Sequence, residues 1–217
     1  MEISYWKSRW KKDKTGWQLN KVYPNLVKYW PLLSLPKNAT VLVPLCGKSR
    51  DVLWLAEQGY RVIGIEASPI ALRQLRTATG KSFSEGTKYG EKVYQSEQLS
   101  LWECDFFSLP PEALPPVDAV YDKASIVAMP AGKRTSYAQK LVDLQNSDTQ
   151  FLIQTFEYEQ NEMDGPPFSV PETEVRNLFQ VFDHIEVVNE RSMLSRVDKF
   201  RQRGLSTYFN EKVYHLF

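Results

Sequence analysis

The chain has 217 residues, 42% hydrophobic and 24% charged, which suits one globular domain with a full sheet core. Lys and Arg number 27 against 26 Asp and Glu, a formal charge of +1, so no global basic field speaks for nucleic acid. Two cysteines and two histidines suggest neither a disulfide framework nor a metal site, and no apolar run reaches membrane-spanning length. The start MEISYWKSRWKK is not a secretory leader, and a cytoplasmic location is expected.

Residues 1–35 precede the sheet as a lid-like segment, and 36–217 form the core of one domain. Trp6 and Trp10, four apart, share a helical face among Lys7, Arg9, Lys11 and Lys12. Thr15-Gly16-Trp17 marks a turn, and Tyr23-Pro24 leads into a helix from Asn25 to Leu33. Either this segment pads the core, or its tryptophans close over a ligand and Trp10 loses exposure on binding.

From Thr40 to Leu75 the chain reads strand, turn, helix, strand, acid, helix. Val41, Leu42, Val43 and Leu45 suit a strand buried on both faces, and Gly47 breaks the run. Val52, Leu53, Leu55 and Ala56 keep helical spacing up to Gly59 at the C-terminal end. A second apolar run, Val62 to Ile65, ends in Glu66, and Ser68-Pro69 opens the next helix. An acid ending the second strand, about 20 residues after the turn, accepts hydrogen bonds from ribose hydroxyls. An ordinary strand–helix–strand unit with an incidental acid is the plainer alternative. A Walker loop is weaker, because Leu42 stands at its first glycine position. A dinucleotide fingerprint is weaker too, because only Gly47 of its glycines is present. A ribose-binding acid without a phosphate cradle favours a nucleoside, and S-adenosylmethionine fits that description.

Residues 76–97 are polar and read as a loop, with a short strand at most over Lys92 to Gln95. Leu99 to Cys104 is a strand followed by Asp105-Phe106, placed either to meet an adenine or to make an Asx turn over the core. Val117 to Tyr121 is the fourth strand of the core and ends in Asp122-Lys123. A helix follows to about Asn146, then a strand from Thr149 to Phe156 and a loop carrying Gly165-Pro166-Pro167-Phe168. Pro171 to Gln180 is helical, and Phe182–Glu190 with Thr207–Phe217 form an antiparallel edge. The basic loop between them is a solvated face before it is an anion site. Cys46 has no histidine placed to activate it and reads as a small packed residue.

Pro44-Leu45-Cys46-Gly47-Lys48-Ser49, Gly64-Ile65-Glu66, Tyr121-Asp122-Lys123-Ala124 and Gly165-Pro166-Pro167-Phe168 together resemble the thiopurine S-methyltransferase family across nearly the whole chain. The resemblance implies an α/β, Rossmann-like class I methyltransferase sandwich. Its sheet would be mostly parallel and seven-stranded, with an antiparallel C-terminal edge and helices on both faces. It implies S-adenosylmethionine as cofactor, held by Trp10, Leu45, Gly47, Glu66, Asp105, Phe106 and Lys123. Acceptor contacts would come from Trp17, Lys123, Phe168 and Lys199, with no metal and no essential base assigned. The implied acceptor is a small aromatic or heterocyclic thiol, and a monomer without nucleic-acid or membrane partners is expected. Lys123 departs from the arginine usual there: the charge survives, the planar fork does not. Halide, thiol or selenium and tellurium acceptors, and a non-catalytic nucleoside binder on the same fold, are the alternatives. Lys123 is the candidate for stabilising an anionic acceptor, with Asp122 a weaker candidate base.

Overall fold

The computed structural model describes residues 2–217. The chain forms two compact units, 1–121 with 144–149, and 122–143 with 150–217. Nine strands contribute to a mixed sheet, where seven were expected.

In the first unit, α1 (Ile3–Lys11) and α2 (Pro24–Tyr29) precede β1 (Thr40–Val43). Then come α3 (Arg50–Glu57), β2 (Arg61–Glu66), α4 (Pro69–Thr79), β3 (Ser84–Lys88), β4 (Glu91–Gln95) and β5 (Leu99–Glu103). The strand order is β3-β4-β5-β2-β1, continuing to β6 (Val117–Lys123), whose last two residues belong to the second unit. β1 pairs in parallel with β2 and β6, and β2 pairs in parallel with β5. Apolar residues fill the buried positions of β1 and, apart from Gly64 and Glu66, those of β2, as strands covered on both faces require. α3 and α4 bury Val52, Leu53 and Leu55, and Ala71, Leu72 and Leu75. Ser49 and Ser68 cap them, accepting from the N–H of Asp51 (3.1 Å) and Ala71 (3.4 Å).

The two additional strands come from the stretch expected to be mostly loop. β3 and β4 form an antiparallel hairpin that pairs through β4 with β5. Lys88 faces Glu91, so Tyr89 and Gly90 are the two-residue turn, both left-handed (φ 51° and 79°). That conformation matches the twist of a tight hairpin.

The second unit holds α5 (Ala131–Val142), α6 (Glu172–Leu178), β8 (Ile185–Ser192), α7 (Asp198–Arg201) and β9 (Asn210–Leu216). It also holds most of β7 (Gln145–Glu157), and its order is β7-β9-β8, antiparallel throughout. Tyr158, Met163, Leu205 and Phe209 form a core cluster where the loop after β7 meets the loop before β9. No helix among the described residues is long and apolar enough to cross a membrane.

Candidate functional site

β1 runs out into Pro44-Leu45-Cys46-Gly47-Lys48-Ser49 before α3 begins. Leu45 (φ 48°) and Gly47 (φ 55°) are both left-handed. Glycine adopts this freely, whereas Leu45 carries a strain of about 1–3 kcal/mol that its surroundings must hold. Bonds from the four N–H groups that follow it do so. Cys46 N–H donates to the Ile65 carbonyl (2.9 Å) and Ser49 N–H to the Cys46 carbonyl (3.1 Å). Gly47 N–H donates to Glu66 Oε2 (3.0 Å), and Lys48 N–H to Gln18 Oε1 (3.2 Å). Four of the five N–H groups of the turn, those of Cys46 to Ser49, are therefore used within the protein. A phosphate cradle aims such donors at its ligand. The N–H groups of Cys46 to Ser49 are turned inward instead, which argues against both phosphate-binding alternatives.

Glu66 is 8% exposed. Its Oε2 receives Gly47 N–H and its Oε1 receives Ser68 N–H (2.7 Å). A carboxylate offers about four lone-pair sites, so acceptor capacity remains for the hydroxyls of a ribose. Burial pushes its pKa up to about 7, opposed by those backbone donors and by the ammonium of Lys7. Lys7 escaped the sequence reading because only the packing of α1 against α4 brings it near. The carboxyl, and a turn whose donors from Cys46 to Ser49 are taken, fit a nucleoside cofactor without phosphates, such as S-adenosylmethionine.

The tryptophans lie together. Trp17 stands edge-on to Trp6 (5.2 Å) and to Trp10 (6.0 Å), and Lys48 Nζ lies 5.8 Å over the Trp10 ring. Trp10 is only 5% exposed. It has almost no surface to lose, so the expectation that binding would bury it is corrected: Trp17 and Lys48 already pack against it. Asp51 was missed. Its Oδ1 accepts Tyr23 N–H (2.7 Å) and its Oδ2 accepts the Tyr121 hydroxyl (3.0 Å), tying the N-terminal segment to α3 and β6. In sequence it reads only as an acid in a first helical turn.

Cys46 is buried beneath the turn, and burial followed by the charge of Glu66 pushes its thiol pKa well up. Gly64 makes room for it, since a Cβ there would stand 2.9 Å from Cys46 Sγ. Asp105 Oδ1 accepts Phe107 N–H (3.0 Å), an Asx turn, and Phe106 is 1% exposed. A cavity of about 290 Å³, lined by Arg73, Arg76, Thr77, Lys81 and Phe83, uses none of the candidate residues.

Lys123, Phe168 and Lys199 belong to the second unit. Lys123 ends β6 half-buried and precedes Ala124, which is left-handed (φ 68°). Asp122 is 0% exposed. Its Oδ1 accepts the N–H of Ser125 (3.1 Å) and Ile126 (3.2 Å), and its Oδ2 accepts the Tyr137 hydroxyl (2.8 Å). Burial pushes its pKa up to about 6 against the pull of those donors. The thought that Asp122 might serve as a base is corrected, because its oxygens are committed to holding the turn. Phe168 is half-buried, its N–H bonded to the Val127 carbonyl (2.7 Å) and its ring against Gly165. The Tyr158 hydroxyl donates to the Pro167 carbonyl (2.7 Å), and Arg203 donates to the carbonyls of Asp164 and Pro166. Arg203 of the basic loop thus serves the fold. Lys199 lies exposed on α7. No group of three His, Cys, Asp or Glu among the described residues could hold a metal ion.

Solved structures similar to this chain share its fold. One is the 1,6-didemethyltoxoflavin-N1-methyltransferase of Burkholderia thailandensis, with bound S-adenosylhomocysteine (TM-score 0.63, 18% identity, 99% of this chain and 86% of that one). Another is a TehB-like SAM-dependent methyltransferase from Corynebacterium glutamicum (TM-score 0.54, 14% identity, 98% and 96%). The fold is thus that of the Rossmann-like methyltransferases. The family model described as thiopurine S-methyltransferase matches residues 1–217. A thiopurine S-methyltransferase of Bordetella petrii is 36% identical over 100% of this chain and 98% of its own length. One from Pseudomonas fluorescens strain SBW25 is 39% identical over 100% and 99%. The chain belongs to the thiopurine S-methyltransferase family.

Proposed function

We propose that the chain moves a methyl group from S-adenosylmethionine to the sulfur of a small aromatic or heterocyclic thiol. The observation that carries this reading is the turn at 44–49, with the N–H groups of Cys46 to Ser49 satisfied internally beside a buried Glu66 that retains acceptor capacity. When bound, the cofactor supplies a methyl carbon activated by its sulfonium. Glu66 accepts from the ribose hydroxyls, Leu45 and Gly47 line the turn, and Trp10 covers it, with Asp105 and Phe106 taken as base contacts. The new sulfur–carbon bond forms as the old one breaks, and the thiol proton leaves to solvent. A thiol that ionises readily needs no strong base, which suits a site without an assigned one. Lys123 is the proposed cation for the anionic acceptor, with Trp17, Phe168 and Lys199 as further acceptor contacts. We also read 1–217 as one methyltransferase domain, monomeric and cytoplasmic, with 1–35 as its lid; one family model spanning both units supports the single domain.

Labelled cofactor offered with aromatic thiols, thiopurines, halides and selenite tests the activity, and methylation of an aromatic thiol is expected. Transfer confined to halide or selenite would move the assignment to those acceptors, and tight cofactor binding without transfer to any of them would leave a non-catalytic binder. Lys123→Met is expected to cut turnover far more than cofactor affinity, and Lys123→Arg to keep or improve it. Both quantities unchanged in Lys123→Met would make this residue a solvated charge.

A further inference from the structure

Gln18 lies between α1 and α2, and its side chain reaches the turn after β1. Its Oε1 accepts Lys48 N–H at 3.2 Å, which fixes the amide the right way round, because only the oxygen can accept. The Nε2 end is thereby directed at Gly47, so close that a Cβ there would stand 2.5 Å from it. Two features therefore disfavour a side chain at Gly47: the left-handed backbone and the Gln18 amide. No partner for Nε2 lies among the described residues, so two oriented N–H donors stand over a turn whose donors from Cys46 to Ser49 are used.

Strand order says which part of a ligand they meet. β2 lies between β5 and β1 in the first unit. With ribose at Glu66, on β2, and the base at Asp105 and Phe106, after β5, the turn after β1 is left for the amino-acid end of the cofactor. That end carries an ammonium, which donates, and a carboxylate, which accepts. Nε2 can only donate. We propose that Gln18 is a further cofactor-binding residue, anchored through Oε1 on Lys48 N–H and donating from Nε2 to the cofactor's carboxylate. It supplies a donor beside N–H groups, those of Cys46 to Ser49, that are already taken.

The inference rests on the cofactor reading above, and its test separates the two. Calorimetry on the full chain compares S-adenosylhomocysteine with 5′-methylthioadenosine, which keeps the nucleoside and lacks the amino-acid end. A hydrogen bond to a charged group corresponds to roughly 10–100-fold in affinity. Gln18→Ala should weaken S-adenosylhomocysteine by that factor and leave methylthioadenosine within about twofold, the ordinary scatter of a lost neutral contact. Gln18→Glu keeps an acceptor for Lys48 N–H and replaces the donors with negative charge, so it should fold normally and lose at least as much. Equal losses for both ligands, or no loss for either, would overturn the proposal and leave Gln18 as packing for the turn. Glu66→Ala is the control: it should weaken both ligands, and if it weakens neither, the cofactor reading itself fails.

Discussion

Two buried carboxyls end two strands of this chain, one in each unit, and they are held in much the same way. Glu66 closes β2 and receives the N–H groups of Gly47 and Ser68. Asp122 stands at the end of β6 and receives two N–H groups and the Tyr137 hydroxyl. Each lies beside a turn containing a strained non-glycine residue, Leu45 in one and Ala124 in the other. The difference is in what is left over. Asp122 is fully enclosed, with an aromatic hydroxyl filling its outer side, whereas Glu66 retains slight exposure and unused lone pairs. An acid at a strand's carboxyl end is thus not by itself a ligand site. The number of donors the fold already supplies decides whether it holds the protein or the ligand.

Removing each carboxyl should separate these roles. Asp122→Ala leaves three donors buried without an acceptor and should lower unfolding free energy by about 3–5 kcal/mol in urea titrations. Glu66→Ala should cost less stability and appear mainly in cofactor binding. Equal destabilisation by the two variants would erase the distinction.

Acidity gives the next largest effect. Both pKa values lie above the ordinary carboxyl range, Glu66 at about 7 and Asp122 at about 6. For a raised acid, the folded state binds the proton more tightly than the unfolded one. The stabilisation is fully present below about pH 4 and is lost as pH rises through 6 and 7. Each group corresponds to roughly 3 kcal/mol. Unfolding free energy of the ligand-free chain should therefore fall between about pH 4 and 7, while cofactor affinity rises as Glu66 ionises. Glu66→Gln should flatten the upper limb of the stability curve, and Asp122→Asn the lower. A curve unchanged by either substitution would show that these carboxyls ionise normally.

The strained turns give the smallest effect. Ala124→Gly relieves a left-handed alanine but adds freedom to the unfolded chain, for a net gain of about 0.5 kcal/mol. Leu45→Gly relieves similar strain and should weaken cofactor binding, since that residue lines the turn. Thermal melts and calorimetry on the pair would show whether strain at one turn serves a ligand and at the other only the fold.

Much of the first unit was legible because local signals agreed. Buried apolar runs gave β1 and β2, Ser49 and Ser68 capped the helices they preceded, and Gly59 took the left-handed position after α3 (φ 91°). The short strand expected over Lys92 to Gln95 is β4, but its partner β3, and so the hairpin, was not legible. Ser84 to Lys88 is exposed at every position and has no apolar alternation, and its turn uses Tyr89-Gly90 in place of the usual Asn-Gly. At the site, Glu66 could be found because its spacing from Gly47 encodes a strand–helix–strand unit. Gln18, Lys7 and Asp51 could not. Each acts on a group brought near by tertiary packing, and nothing in its sequence neighbourhood marks that. Asp122 showed the opposite failure: its sequence position suggested chemistry, and its hydrogen bonds reveal structure.

Cys46, packed under Gly64, and Cys104 are both buried, and they are the chain's two thiols. A thiol reagent in solution reaches such groups only when the fold opens. Each is therefore a built-in clock. Under conditions where labelling is fast, the rate at which either sulfur reacts measures how often the protein around it comes apart. An enzyme proposed to act on other molecules' thiols would carry, in its own, a readout of its integrity that needs no probe.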